Sequence, residues 1–389
     1  MRPELQEIVD EASRVLEADT TLEDTDFNLI AYGTQRFQVD EVRSHSILQR
    51  GSTRPVRDWF EHFGIARSAD PLRIPADVSQ GLHARICIPA RWRGVTYGYL
   101  WALDDATSLA DPRVVRGAQL AEHAAAYLAQ LSRQHEDEAY AVADLISGDV
   151  EKTQQAAARI ADRGLIDQRS PVVAVVVTAQ GPGVPPSLSP NLWSLPRSVL
   201  VDRGGLSTTL VVPLRDIADD EPGQQAATTT VELYRRELPL DWTGELVAGL
   251  GRPRADLNDL RASWLEAKLA TRIALAVPEH RPVARWPDLG LYRLLMALPM
   301  TELDALVLDD PVRRLLDNPD PTMATTVKVF LDLAGNVRDA AAALHIHRQT
   351  LYYRLAKAQE LTGLDLDRGQ DRLRLHLGLM LAPTLADAS

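Results

Sequence analysis

The sequence predicts a multidomain α+β protein that ends in an all-α domain, and three observations carry that expectation. The chain has 389 residues, which at about 100–200 residues per domain asks for two to four domains. Runs of branched and aromatic residues, the mark of buried strands, occur in two separate zones: ARICIPA with YGYLWAL (residues 84–103) and SPVVAVVVTA (residues 170–179). From Thr325 to Leu366 the apolar residues recur instead at helical spacing.

Taken in order, the first domain (residues 1–111) opens with a helix. Leu5, Ile8, Val9, Ala12 and Leu16 recur at i, i+3, i+4, i+7 and i+11. Strand-like runs follow at Asn28–Tyr32, Ala84–Pro89 and Thr96–Leu103, with Gly94 in a short turn, as expected of an antiparallel sensor-type sheet. Residues 112–164 are rich in strong helix formers and predict a long helical linker, interrupted near Gly148, that could pair with its copy in a dimer or serve as a solvated spacer. The second mixed domain (165–285) has SPVVAVVVTA as a buried strand and a hairpin, Ser198–Asp202 with Ser207–Pro213. A further strand is expected at Leu246–Leu250 and a helix from Asn258 to Val277. Residues 286–321 predict a helical linker closed by Asn318-Pro319-Asp320-Pro321, since residues before proline resist helix. Residues 322–389 form the last domain. Its tail RLRLHLGLML has leucine at every second position, which periodicity alone assigns to a strand, whereas its place behind a helical module predicts a helix.

Composition narrows the function. An apolar fraction of 45% and a charged fraction of 25% are ordinary for soluble globular proteins. The longest strongly apolar stretch, Val172–Val177, falls far short of the roughly 20 residues a membrane helix needs. The N-terminus lacks the apolar core of a secretory signal, and the single cysteine, Cys87, excludes an intramolecular disulfide. A reducing cytoplasmic setting and no membrane partner are expected. A net charge of −12 argues against a general nucleic-acid coat protein, but not against a small basic module within an acidic chain.

Such a module lies between Thr325 and Gly363. Val327, Phe330, Leu331 and Ala334 would form the apolar face of a first helix, ended by Gly335 in the left-handed conformation. Asn336 would cap a second helix, Val337–Leu344, whose small residues admit a close neighbour, and Asp339 suits the positive end of its dipole. His345-Ile346-His347 reads as a turn with Ile346 plugging the core. A third helix from Arg348 to just before Gly363 buries Leu351, Leu355, Ala358 and Leu361. Its other face presents Arg348, Gln349, Thr350, Tyr352, Tyr353, Arg354 and Lys357. Arginine and glutamine can each make two hydrogen bonds to a base edge, while threonine, tyrosine and lysine reach phosphates. The first residues of such a helix enter the major groove, which favours Arg348, Gln349 and Thr350 as first contacts. Arg338 and His347 complete the candidate set. Between Asn336 and Lys357 four basic residues face one acid, a net of +3. Spacing alone leaves open a helical hairpin with a solvated basic face.

The motif Gly335-Asn336, the alanine-rich helix, His347-Arg348, Thr350-Leu351, Tyr353-Arg354-Leu355 and Glu360-Leu361-Thr362-Gly363 resembles the C-terminal helix-turn-helix of PucR and sugar-diacid regulators. Gln349 and Tyr352 stand where that pattern usually has asparagine and a basic residue, which bears on base preference. The segment AGLGRPRADLNDLRASWLEAKLATRIA is similar to the strand and helix of the family's middle domain, a ferredoxin-like fold related to diguanylate cyclases. The hairpin here reads Gly204-Gly205-Leu206-Ser207, without the carboxylates of an active cyclase, so no cyclase activity is expected. VRSHSILQR and ARICIPARWRGVTYGYLWALDD resemble a GAF-type sensor domain. The resemblance implies a dimeric or higher-order, non-enzymatic transcription regulator whose partners are double-stranded DNA, a second copy of itself and a small-molecule effector, with no cofactor. A signalling adaptor with a helical module that does not bind DNA is the alternative, and a nucleotide-cyclase enzyme a third.

Other signals carry less. His345-x-His347 lacks companion ligands for a metal. Asp104-Asp105, Asp219-Asp220 and Asp309-Asp310 read as solvated loops or caps. Gly249-Leu250-Gly251 lacks the third glycine of a dinucleotide site and the lysine of a phosphate loop. Cys87 inside an apolar strand reads as a small buried hydrophobe. Trp92 and Trp101 are candidates for lining a ligand pocket, with a core role for Trp101 and a surface role for Trp92 as the plainer alternatives.

Overall fold

The computed structural model describes residues 3–33, 40–77, 81–104, 106–184, 192, 195–204, 207–238, 241–295, 302 and 307–386. The first sheet has five strands, β1 (Thr20–Asp24), β2 (Leu29–Tyr32), β3 (Leu72–Ile74), β4 (Arg85–Trp92) and β5 (Val95–Leu103), in the order β2-β1-β5-β4-β3 and antiparallel throughout. Arg93 and Gly94 join β4 to β5, both with positive φ (51° and 84°), as a two-residue hairpin turn that follows strand twist requires. Alternation along the strands gives the sheet two buried faces. Leu22, Ile86, Ile88, Leu100 and Ala102 pack against α1 (Pro3–Leu16) and the first half of α4 (Pro112–Ile146). The opposite face is roofed by α2 (Glu41–Gln49) and α3 (Arg54–His62) and holds an aromatic-rich core with Phe27, Phe60, Tyr99 and Trp101.

Helix α4 runs for 35 residues, about 52 Å at 1.5 Å per residue, and its C-terminal part belongs to the next domain. There Ala141, Val142 and Leu145 pack with α5 (Val150–Asp162). Gly148, at φ +89°, makes the break between α4 and α5, and Asp149 caps α5 by accepting from the Glu151 and Lys152 amides.

The middle sheet has the order β10-β9-β6-β8-β7, built from β6 (Val172–Gln180), β7 (Leu200–Gly204), β8 (Ser207–Pro213), β9 (Glu245–Leu250) and β10 (Val283–Arg285), with α6 (Glu221–Glu237) and α7 (Leu260–Ala276) as crossovers. Only β10 pairs in parallel, with β9. Strand β6 is central and buried on both sides, which is why it reads as an unbroken apolar run. Val173, Val175 and Val177 face α6, while Val172, Ala174 and Val176 face α4, α5 and α7. A Cβ on Gly249 would lie 2.0 Å from the Ala267 carbonyl oxygen, and one on Gly251 2.0 Å from that of Ser263. These two glycines exist to let α7 lie directly on β9. The tip of the β7–β8 hairpin, Gly205 and Leu206, lies outside the described residues.

The chain then passes through α8 (Tyr292–Leu295) into α9 (Asp310–Leu316), α10 (Thr322–Asp332), α11 (Val337–Ala343), α12 (Arg348–Thr362) and α13 (Gly369–Ala386). Val312 and Leu315 of α9 share one core with Val327, Phe330, Ala340, Leu351, Leu355, Leu375 and Leu379, so α9 is packed into this module and is more than a connector. The alternating leucines of RLRLHLGLML lie on a helix: Leu375 and Leu379 are buried one turn apart, Leu381 is buried on a second face, and Leu373 is 55% exposed. Gly378 faces Val312, whose Cγ1 lies 2.4 Å from where a Cβ would sit, which sets the close approach of α13 to α9.

Candidate nucleic-acid interface

Two successive helix ends set the geometry of the basic module. Helix α10 stops in a Schellman motif: the Gly335 amide donates to the Phe330 carbonyl at 2.8 Å and the Ala334 amide to Leu331 at 3.0 Å. Gly335 takes the left-handed conformation expected of it (φ 81°), and Ala334 (φ 53°) precedes it there. Ala334 is accordingly exposed in the turn, past the helix end, and contributes nothing to the apolar face expected of it.

Asn336 caps α11 as its sequence position suggests, its side-chain oxygen accepting from the Arg338 and Asp339 amides at 3.0 and 3.2 Å. Helix α11 ends in a second Schellman motif. The Ile346 amide donates to Ala341 at 3.0 Å and the His345 amide to Ala342 at 3.1 Å, with His345 at φ 51°. Ile346 then packs half-buried against the common core. His347 caps α12, its Nδ1 accepting from the Gln349 amide at 3.3 Å. Sequence reading missed this role because histidine is not a usual cap. Gly363 (φ 71°) closes α12, its amide donating to Gln359.

Within α12, Leu351, Leu355 and Ala358 are buried, and Leu361 packs half-buried beside them. On the other side Arg348, Gln349, Thr350 and Lys357 are exposed, as are Arg338 and His347 before them. Tyr352 and Tyr353 are 57% and 66% exposed, far more than core tyrosines would be. Eight of the nine candidate residues are therefore solvent-exposed. Arg354 differs: it is half-buried and its Nη1 donates to Thr326 Oγ1 of α10 at 3.2 Å, tying α12 to the first helix. Asp320, before α10, has its carboxyl held below the usual range by hydrogen bonds from the Thr322 hydroxyl and amide and by the charges of Arg354 and Lys357. Neither the buried Thr326 nor Asp320 was legible as a neighbour of α12, since nothing local marks them.

A helix held by two tight turns on a small helical core, with an exposed basic and polar first turn, is a helix-turn-helix. Residues 323–381 match the family of the PucR C-terminal helix-turn-helix domain, and residues 147–273 match the GGDEF-like domain. The chain is similar over nearly its whole length to two proteins of Bacillus subtilis. The proline-responsive transcriptional activator PutR is 22% identical over 97% of this chain and 96% of that one. The DNA-binding transcriptional activator AdeR is 21% identical over 97% and 92%. Among solved structures, a regulator of polyketide synthase expression from Bifidobacterium adolescentis is 19% identical, covering 66% of this chain and all of its own, with a TM-score of 0.29. The chain is a DNA-binding transcriptional regulator, with a GGDEF-like domain ahead of a helix-turn-helix that matches the PucR C-terminal domain.

Proposed function

We propose that the protein binds double-stranded DNA sequence-specifically as a dimer or higher oligomer, in the cytoplasm, and that a small molecule sensed by the GAF-like N-terminal domain adjusts this binding. The observation that carries the reading is the exposed first turn of α12, Arg348-Gln349-Thr350, pre-set by the His347 cap and the turn before it. In this reading Arg348 and Gln349 meet base edges, while Arg338, His347, Thr350, Tyr352, Tyr353 and Lys357 meet phosphates and fix register. Arg354 supports α12 through Thr326 and reaches the backbone from its edge. Two copies are needed because one short helix reads too few base pairs, and a two-fold dimer sets two such helices about 34 Å apart. Response to an effector is supported by PutR, whose name describes a proline-responsive activator. The middle domain acts as a non-catalytic connector, its hairpin carrying no carboxylate between Gly204 and Ser207. No helix among the described residues is long and apolar enough to cross a membrane.

Binding to duplex DNA measured across a salt series tests the assignment of roles. Lys357→Ala should weaken binding to every sequence alike and lower the salt dependence by about one released counterion. An unchanged salt slope would remove Lys357 from the interface.

A further inference from the structure

The sheet face beneath α2 and α3 carries charged side chains where an apolar core would be expected. On β1, Thr21 and Glu23 point to this side, opposite Trp101 and Tyr99 of β5, and Trp101 in turn lies opposite Cys87 of β4. Phe27, Phe60, Tyr99 and Trp101 pack ring against ring, with Phe60 and Trp101 centroids 4.6 Å apart and Phe27 and Tyr99 5.5 Å apart. Within this aromatic setting Glu23 is 4% exposed and Arg43 of α2 is 2% exposed.

Not all the buried charges here are accounted for. Asp40 is saturated: it pairs with Arg85, caps α2 through the Arg43 amide at 2.6 Å and accepts from the His83 amide at 2.9 Å. Arg43 Nη1 donates to the Asp19 carbonyl at 3.3 Å. But among the described residues Arg43 Nη2, Glu23 Oε2, Trp101 Nε1 and Thr21 Oγ1 are buried without a hydrogen-bond partner. Arg43 is the charge that acts most strongly on Glu23, yet the two form no ion pair with each other. A buried charge left unpaired costs several kcal/mol, so a core made only for stability would not hold one donor and one acceptor in this state.

We propose that this cluster is an effector site for a small zwitterion, an amino acid with free carboxylate and free ammonium, whose carboxylate binds Arg43 and whose ammonium binds Glu23. The indole N–H of Trp101 and the Thr21 hydroxyl supply further bonds, and Phe27, Phe60 and Trp101 enclose the ligand's carbon skeleton. A simple anion would leave Glu23 unpaired, and a simple amine would leave Arg43 unpaired; a zwitterion answers both. Helix α3 gives the site an outlet. Phe60 faces the cluster, while Arg57 on the same helix clasps Glu237 at the end of α6 with two bonds of 2.9 Å. A ligand that resets α3 acts directly on the middle domain. This inference rests on the reading of the chain as a signal-responsive regulator.

Calorimetry and thermal melting of the full-length protein against each proteinogenic amino acid test it, followed by the decarboxylated and deaminated analogues of any amino acid that binds. The expected result is saturable binding of at least one, with both analogues weaker by on the order of 100-fold. Glu23→Gln and Arg43→Met should each weaken it at least about 10-fold, the isosteric Glu23→Gln without loss of the fold. Burial raises the Glu23 carboxyl to about 7, against the opposing charges of Arg43 on α2, Arg85 on β4 and Arg57 on α3 and with Asp24 beside it on β1. An arriving ammonium lowers it again, so binding at pH 7 should release protons and its heat should vary with the buffer. Absence of binding by every amino acid, analogues that bind equally well, or variants that bind unchanged would overturn the assignment. Specific DNA binding measured on the same preparation separates the failures: retained, it leaves the regulator reading standing without this site.

Discussion

Individual side chains on α12 divide by what holds them. Arg348, Gln349 and Thr350 are exposed at a capped helix start, whereas Arg354 is engaged with Thr326. Identity alone could not separate the two arginines, because the second's partner lies 28 residues away on another helix. Glu23 shows the same limit more strongly. In the sequence TTLED it reads as an ordinary exposed acid, and only the fold brings Arg43 and Arg85 around it. Its raised pKa has a definite consequence for stability. A carboxyl at about 7 in the folded chain, against about 4.3 when unfolded, binds its proton more tightly when folded. Its ionisation therefore erodes stability as pH rises from about 4.3 to 7, by ~4 kcal/mol in all. Glu23→Gln should thus melt higher than the parent at pH 8 and converge with it near pH 4–5 in a pH series of thermal melts. Equal melting temperatures at every pH would mean that Glu23 ionises freely in the folded protein.

Helices, strands and turns were most legible where their signals are local. The caps Asn336 and Gly363, the buried Leu351–Leu355–Ala358 stripe and the break at Gly148 each rest on a few neighbouring residues, and the structure has them in place. Two features were not local. RLRLHLGLML has the period of a strand, but it folds as a helix because α9 and α10 offer it apolar surfaces on two sides, which a leucine at every second position can serve at once. In the turn after α10 the left-handed Gly335 is legible, but the Schellman motif places Ala334 in that conformation too, which nothing local announces. A left-handed alanine costs about 1–2 kcal/mol, and glycine would return part of that gain as unfolded-chain entropy. Ala334→Gly should therefore stabilise the helix-turn-helix by about 0.5–1 kcal/mol, read as a higher urea midpoint for α10–α12 amide protection. Destabilisation would show that the Ala334 methyl makes contacts that outweigh its backbone strain.

Among the described residues, three connections join the domains. Helix α4 belongs to the cores of both the first and the second domain. Arg57 and Glu237 clasp α3 to α6. One continuous apolar cluster joins Ala270, Ile273 and Ala274 of α7 to the helix-turn-helix core. The order of the domains was legible because composition changes between them. Their joints were not, since each is made by residues distant in sequence. These joints would give the effector response proposed for the first sheet a physical route to α12, and the worth of that route depends on α12 reading DNA.

The most direct test is binding of the purified protein to duplex DNA from its own upstream region against scrambled duplex at fixed salt, with Arg348→Ala alongside. The account predicts a preference for the native sequence of about 10³ or more, abolished in Arg348→Ala while its non-specific binding falls only slightly. A genome-wide selection of bound fragments that yields no preferred sequence, or a preference that Arg348→Ala leaves intact, would contradict it.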